Sequence, residues 1–149
     1  MKRIFIYLIL ILLVTGCSKE KMFTCNINLY NEIEEYELTA EYKIYHKDNF
    51  VTKIEKEETY ESEEKDTLEF FEKSKELEYQ NIRDLYGGTI YLVKLKKDKV
   101  VINVVMDLSE LDIKKMAKDK YIDKDYVVSN KLTTGGIKKI YESKGAICQ

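Results

Sequence analysis

An α+β fold, with an antiparallel β-sheet packed against one long helix and one or two shorter C-terminal helices, follows from three features of the sequence. Tyr36, Leu38, Ala40, Tyr42 and Ile44 alternate with Glu37, Thr39, Glu41, Lys43 and Tyr45, the period of a half-buried strand. Leu68, Phe71, Lys75, Tyr79, Ile82 and Tyr86 recur at spacings of three or four, one stripe of a long amphipathic helix. The chain has 149 residues, 44% of them apolar, which suits one domain with one core.

The elements follow in order. Phe23–Tyr30 reads as a first strand with Phe23, Cys25, Ile27 and Leu29 on one face. "NEIEE" connects it to the alternating segment, and "HKDN" supplies turn residues before a strand from Phe50 to about Tyr60. Asp66 with Glu69 three residues on predicts the cap of the long helix, and Gly87–Gly88 predicts its end. Thr89–Leu95 and Val100–Leu108 read as strands joined by "KKDK", apolar on both faces and therefore expected at the centre of the sheet. Ser109 with Asp112 predicts a short helix over Glu110–Lys118, "YIDKDYVV" an irregular stretch or brief strand, and Leu132–Lys144 a last helix ending at Gly145. The glycines of "TTGG" leave its start open, at about 1 kcal/mol each in a helical turn. Ala146–Cys148 returns to the core.

The first residues differ from all of this. Lys2 and Arg3 precede Ile4–Val14, an unbroken run of eleven apolar or aromatic residues. A membrane-crossing helix needs roughly 18–20 such residues, whereas the core of an export signal needs about 7–15. The run closes on "VTGC", which resembles the bacterial lipoprotein signal of a branched apolar residue, a small residue, Gly and Cys. That resemblance implies a diacylglyceryl group on the Cys17 thiol and cleavage before it. The domain plan is then a signal peptide over 1–16, a lipidated tether over 17–22 and an α+β domain over 23–149. The expected location is the extracytoplasmic face of the cell membrane, anchored by lipid at Cys17. Of the three cysteines, Cys25 and Cys148 remain. Outside the membrane they can form a disulfide or stay as two buried thiols.

Little else carries chemistry. The net charge of −2 gives no basic signal for nucleic acid. His46, the one histidine, sits at a predicted turn and reads as a solvated residue rather than a general base. Two isolated sulfurs and a distant histidine lack the spacing of a metal site, so neither metal nor cofactor is expected. No catalytic constellation is seen. Residues 55–78 hold eleven acids against four lysines, read as a solvated strand end and helix face with Glu69–Lys73 as an ordinary helical pair. Residues 112–149 hold nine lysines against five acids, a balance suited to an anionic lipid surface.

The lipoprotein signal, the cysteine of "FTCNI", the strand "FVTKIE", the central acidic helix and the closing "SKGAIC" together resemble the YehR-like lipoproteins. These are small exported bacterial proteins without an established biochemical function. The resemblance covers about 23–149, and its most specific part is the terminal cysteine pair with Gly145 three residues before Cys148. It implies an α+β domain and a bridge between Cys25 and Cys148, and it implies no catalytic residues. This chain departs from that pattern in a longer acidic segment near 55–66. The function expected is a non-catalytic binding or interaction domain at the envelope, its partner an envelope protein or a cell-wall component. The alternatives are a small envelope hydrolase using carboxylates of the acidic segment, or a cell-wall- or lipid-associated structural module.

Overall fold

The computed structural model describes residues 19–149; the signal, Cys17 and Ser18 lie outside the described residues. Three long strands start the domain: β1 (Lys21–Asn31), β2 (Tyr36–Lys47) and β3 (Phe50–Glu61). The first strand thus takes in Lys21 and Met22 of the expected tether. Each hairpin has its own local cause. At the first, the Asn31 side chain accepts hydrogen bonds from the backbone N–H groups of Ile33 (3.0 Å) and Glu34 (3.1 Å), folding the chain back. At the second, Asp48 takes a left-handed φ of 55°, as tight hairpins require. A register shift at Tyr45/His46 turns Val51 inward beside Ile54.

Helix α1 (Lys65–Tyr86) crosses the sheet and buries Leu68, Phe71, Tyr79, Ile82 and Tyr86, the expected stripe. It starts after Glu64, which makes no side-chain cap, so Asp66 lies in the first turn instead of capping it. An acid in that turn still complements the helix dipole. The helix ends as expected at Gly87, whose N–H bonds Arg83 O at 2.9 Å. Strands β4 (Thr89–Leu95) and β5 (Lys99–Asp107) complete the large sheet with β8 (Ile147–Cys148). Its order is β4-β5-β3-β2-β1-β8, with every pairing antiparallel.

That order corrects the expected central position of Thr89–Leu95. β4 is an edge strand, and its outward Ile90 is 77% exposed. The reason is topological: a short hairpin after α1 returns β5 alongside β3 and leaves β4 outside it. β5 is internal, with Val100, Ile102, Val104 and Met106 buried against α1 and its neighbours.

The C-terminal part is α2 (Ile113–Lys118), a short turn over Lys124–Tyr126, the small hairpin β6 (Val127–Val128) and β7 (Lys131–Leu132), and α3 (Thr134–Glu142). α2 begins later than expected because Asp112, not Ser109, caps it by accepting from Lys115 N at 2.9 Å. Ser109 is held instead by Asp107 Oδ1. In α3, Thr133 caps by accepting from Gly136 N at 3.0 Å, which settles where "TTGG" enters the helix. Gly136 is obligatory for packing: a Cβ there would run into the Tyr126 side chain.

One core lies between the inner sheet face and the covering helices. Cys25, fully buried on β1, is bonded to Cys148 on β8, across a sequence separation of 123. β8 has only two residues, held further by Thr24 and Gln149 backbone bonds of 3.1 and 2.8 Å. No helix among the described residues is long and apolar enough to cross a membrane.

Candidate functional site

The inner face of β3 carries Ile54, Lys56, Glu58 and Tyr60 in alternation. Lys56 lies between Tyr42 of β2 and Val104 of β5, and Glu58 between Ala40 and Ile102. Two charged side chains therefore occupy the middle of an apolar sheet under the helices. Glu58 corrects the reading of the acidic segment as wholly solvated, since only 6% of it is exposed.

The carboxylate of Glu58 is held by two phenols. Tyr42 Oη donates to Oε1 at 3.2 Å and Tyr79 Oη to Oε2 at 3.4 Å. Tyr42 stacks on Tyr141 of α3 with ring centroids 4.2 Å apart, and Tyr60 stacks on Phe71 of α1 at 4.2 Å. Stacked rings thus join both helices to the sheet, while the Tyr42 and Tyr79 hydroxyls satisfy the buried acid. Burial, reinforced by the Glu58 charge, pushes the phenols of Tyr42, Tyr79 and Tyr141 well above the ordinary tyrosine range, and that of Tyr60 to about 12.

Beside this cluster, between α2, α3 and the sheet, is a cavity of about 220 Å³. Ile54, Met106, Leu111, Met116, Leu132 and Ile137 give it apolar walls. Lys56, Glu78, Tyr121, Asp123 and Lys144 supply the polar groups. Both acids are engaged elsewhere. Glu78 accepts from Lys75 Nζ at 2.8 Å, and Asp123 accepts from Asp125 N at 2.9 Å to cap the short turn. Burial works against the Lys75 charge, but Tyr60 and Glu78 keep it above the usual lysine range.

Lys56 and Lys144 are not engaged in this way. The Lys56 ammonium lies 5.4 Å from the Tyr79 ring centroid and makes no salt bridge or side-chain hydrogen bond among the described residues. Burial holds the Lys56 pKa below the ordinary lysine value; Glu58 offsets this, and the charge of Lys144 adds to the depression. Lys144, at the solvent side of the same cavity, likewise has no ion-pair partner among the described residues.

The other expected site residues are placed as follows. Cys25 and Cys148 are brought together as a disulfide; Cys17 lies outside the described residues. His46 lies at the turn-ward end of β2 and not in the turn, half-buried, with its Nδ1 donating to the Asp48 carbonyl at 2.9 Å and its ring 5.8 Å from that of Phe23. No group of three or more metal-ligating side chains occurs among the described residues. Glu69 pairs with Lys65 and Lys73, and most of the remaining acids of 55–78 face solvent. The sequence reading missed Lys56 and Glu58. The signal was present: Ile54 and Tyr60 fix the parity of the inward face, and positions 56 and 58 share it.

The described residues form an α+β domain closed by a terminal disulfide, and a lipoprotein-type signal precedes it. Residues 1–18 match the model of the prokaryotic membrane lipoprotein lipid attachment site, which supports membrane anchoring through a lipidated cysteine. The domain is similar in fold to the NMR structure of the E. coli YehR protein, at a TM-score of 0.56 and 12% identity, over 89% of this chain and 92% of that one. An NMR structure of a protein from Streptococcus pneumoniae TIGR4 aligns with a TM-score of 0.51 and 14% identity, over 91% of this chain and 88% of that one. The chain is therefore YehR-like in fold. No curated protein matches its sequence.

Proposed function

We propose that this chain is a lipid-anchored binding protein of the extracytoplasmic membrane face, that it is not an enzyme, and that its ligand site is the cavity between α2, α3 and the sheet. The observation that carries the proposal is the cavity's make-up: an apolar interior with a few convergent polar groups, the common design of a small-molecule site. At about 220 Å³ it has room for roughly seven water-sized groups, so the ligand is small or enters by one end. Against a hydrolase, the two acids that line it are already committed, Glu78 to Lys75 and Asp123 to the turn it caps. Acid–base work by paired carboxylates needs environments that drive their pKa values apart.

The test uses the lipidated protein in bilayer nanodiscs and a panel of small apolar and amphipathic compounds. Ligands that raise the melting temperature of the wild type should fail to do so for Ile122→Trp, which fills the cavity from its half-buried edge. Equal stabilisation of that variant would rule the cavity out. Turnover of a cell-envelope substrate, abolished in Glu78→Gln, would replace this reading with the hydrolase.

A second reading, a module lying on lipid, is favoured by the distribution of charge. β1 starts beside the tether, and Lys21 pairs with His46 at the end of the sheet where α2 begins. Lys114, Lys118 and Lys120 are exposed there, whereas Glu35, Glu37, Glu61, Glu63, Glu64 and Asp98 gather at the opposite end. Binding to anionic vesicles that weakens with added salt would support this orientation. Salt-independent binding would refute it.

A further inference from the structure

We infer that the cavity takes a small monoanionic amphiphile, a medium-chain carboxylate, with its head group between Lys56 and Lys144 and its apolar chain against the walls formed by Met106, Leu111 and Ile137. This rests on the cavity reading above and names the ligand class for that same site.

Around the cavity each carboxylate has donors of its own: Glu58 has two phenols, Glu78 has Lys75 and Asp123 has a backbone N–H. Neither Lys56 nor Lys144 has an acid in salt-bridge contact among the described residues. Lys56 rises from the centre of the sheet among apolar neighbours, and it is only partly exposed. A half-buried cation without a hydrogen-bonded partner has lost part of its hydration, and an arriving anion restores a partner. Lys56 and Lys144 both line the cavity, so an anion bound in it would face two cations.

The nearby acids limit that anion to a single charge. Glu58 stands two residues from Lys56 on the same strand face and Glu78 lines the cavity, so a phosphate dianion would meet both. A carboxylate brings one charge and two acceptor oxygens, one for each lysine. The apolar walls then select for a hydrocarbon tail, since a polar tail would lose its hydration without new partners. The volume sets the tail's length at roughly seven methylene-sized groups.

The experiment is calorimetric titration of the lipidated protein in nanodiscs with octanoate and, separately, with octanol, each corrected with empty nanodiscs. Wild type should bind octanoate at least about tenfold more tightly than octanol, the worth of one charge-assisted hydrogen bond. Lys56→Met, which keeps the stem and removes the charge, should lose that preference while binding octanol as before. Lys144→Gln, on the surface, should lose part of it, and this arm decides the matter if Lys56→Met does not fold. Equal affinity for the two ligands, or an undiminished octanoate preference in both variants, would overturn the assignment of an anion while leaving the cavity as a binding site. If neither compound binds and Ile122→Trp is indistinguishable from wild type across the wider panel, the cavity reading falls as well. If inorganic phosphate competes with octanoate more strongly than acetate does, the monoanion argument is wrong.

Discussion

Replacing both Cys25 and Cys148 with alanine should cost the domain a large share of its margin of stability. The bridge spans 123 positions, and in the chain-entropy model a loop of that length is worth about 5 kcal/mol through restriction of the unfolded chain. Cys25 is fully buried, so its truncation adds about 1 kcal/mol of lost burial. Residual order in the unfolded state works the other way, so the expected net loss is about 3–5 kcal/mol. A domain has only about 5–15 kcal/mol in all. The measurement is urea unfolding followed by circular dichroism, with the dependence on urea fitted separately for each protein, because an uncrosslinked chain exposes more surface when it unfolds. Hydrogen exchange adds a local readout. β8 is two residues long, so without the bridge the amides of Thr24 and Gln149 should exchange far sooner than those of β5. A loss below about 1 kcal/mol, with Gln149 still protected, would refute the claim that the bridge holds the C-terminal strand and confines the unfolded chain.

Three further outcomes follow from the same structure. The raised phenols of Tyr42, Tyr79 and Tyr141 should remain neutral in the fold while unfolded tyrosine ionises near pH 10, so stability is fully present below about pH 10 and falls above it. Phenolate absorbance should then rise together with loss of the native circular dichroism, and buried tyrosines that ionise near pH 10 in a folded protein would contradict this. Two glycines should respond oppositely to alanine in thermal melts. Gly88 has φ +55° and a Cβ there would lie 2.6 Å from Asp107 O, so Gly88→Ala should lose about 2 kcal/mol or more; Gly135, in α3 with open space around it, should gain about 0.5–1 kcal/mol. Cys17→Ala should shift the protein out of the membrane fraction and remove the lipid's mass; retention in the membrane at unmodified mass would show that the anchor is something other than the thiol.

Most of the strands were legible because each keeps its own alternation. Tyr36–Ile44 shows its buried face without reference to any neighbour, and so does the stripe from Leu68 to Tyr86. The cap positions were less so, because "SEEKD" and "LSELD" each offer several residues able to cap, and backbone geometry chose among them. The edge position of β4 was invisible locally. Its apolar residues fit a central strand, and only the pairing of β5 with β3 puts it outside.

The sequence by itself determined the anchor signal, the α+β class and the cysteines available for a bridge. These depend on run length, period and count, which are properties of neighbouring residues. It did not show that Lys56 and Glu58, in a stretch dense with charge, face inward. Charge density reads as solvent exposure until the parity of Ile54 and Tyr60 is combined with a helix that brings Tyr79 over the strand. Nor did it show that Lys144 lies at the same cavity, since 88 residues separate it from Lys56. Whether a charged side chain is buried, and with whom, is decided by which elements pack over it, and that is a property of the tertiary structure alone.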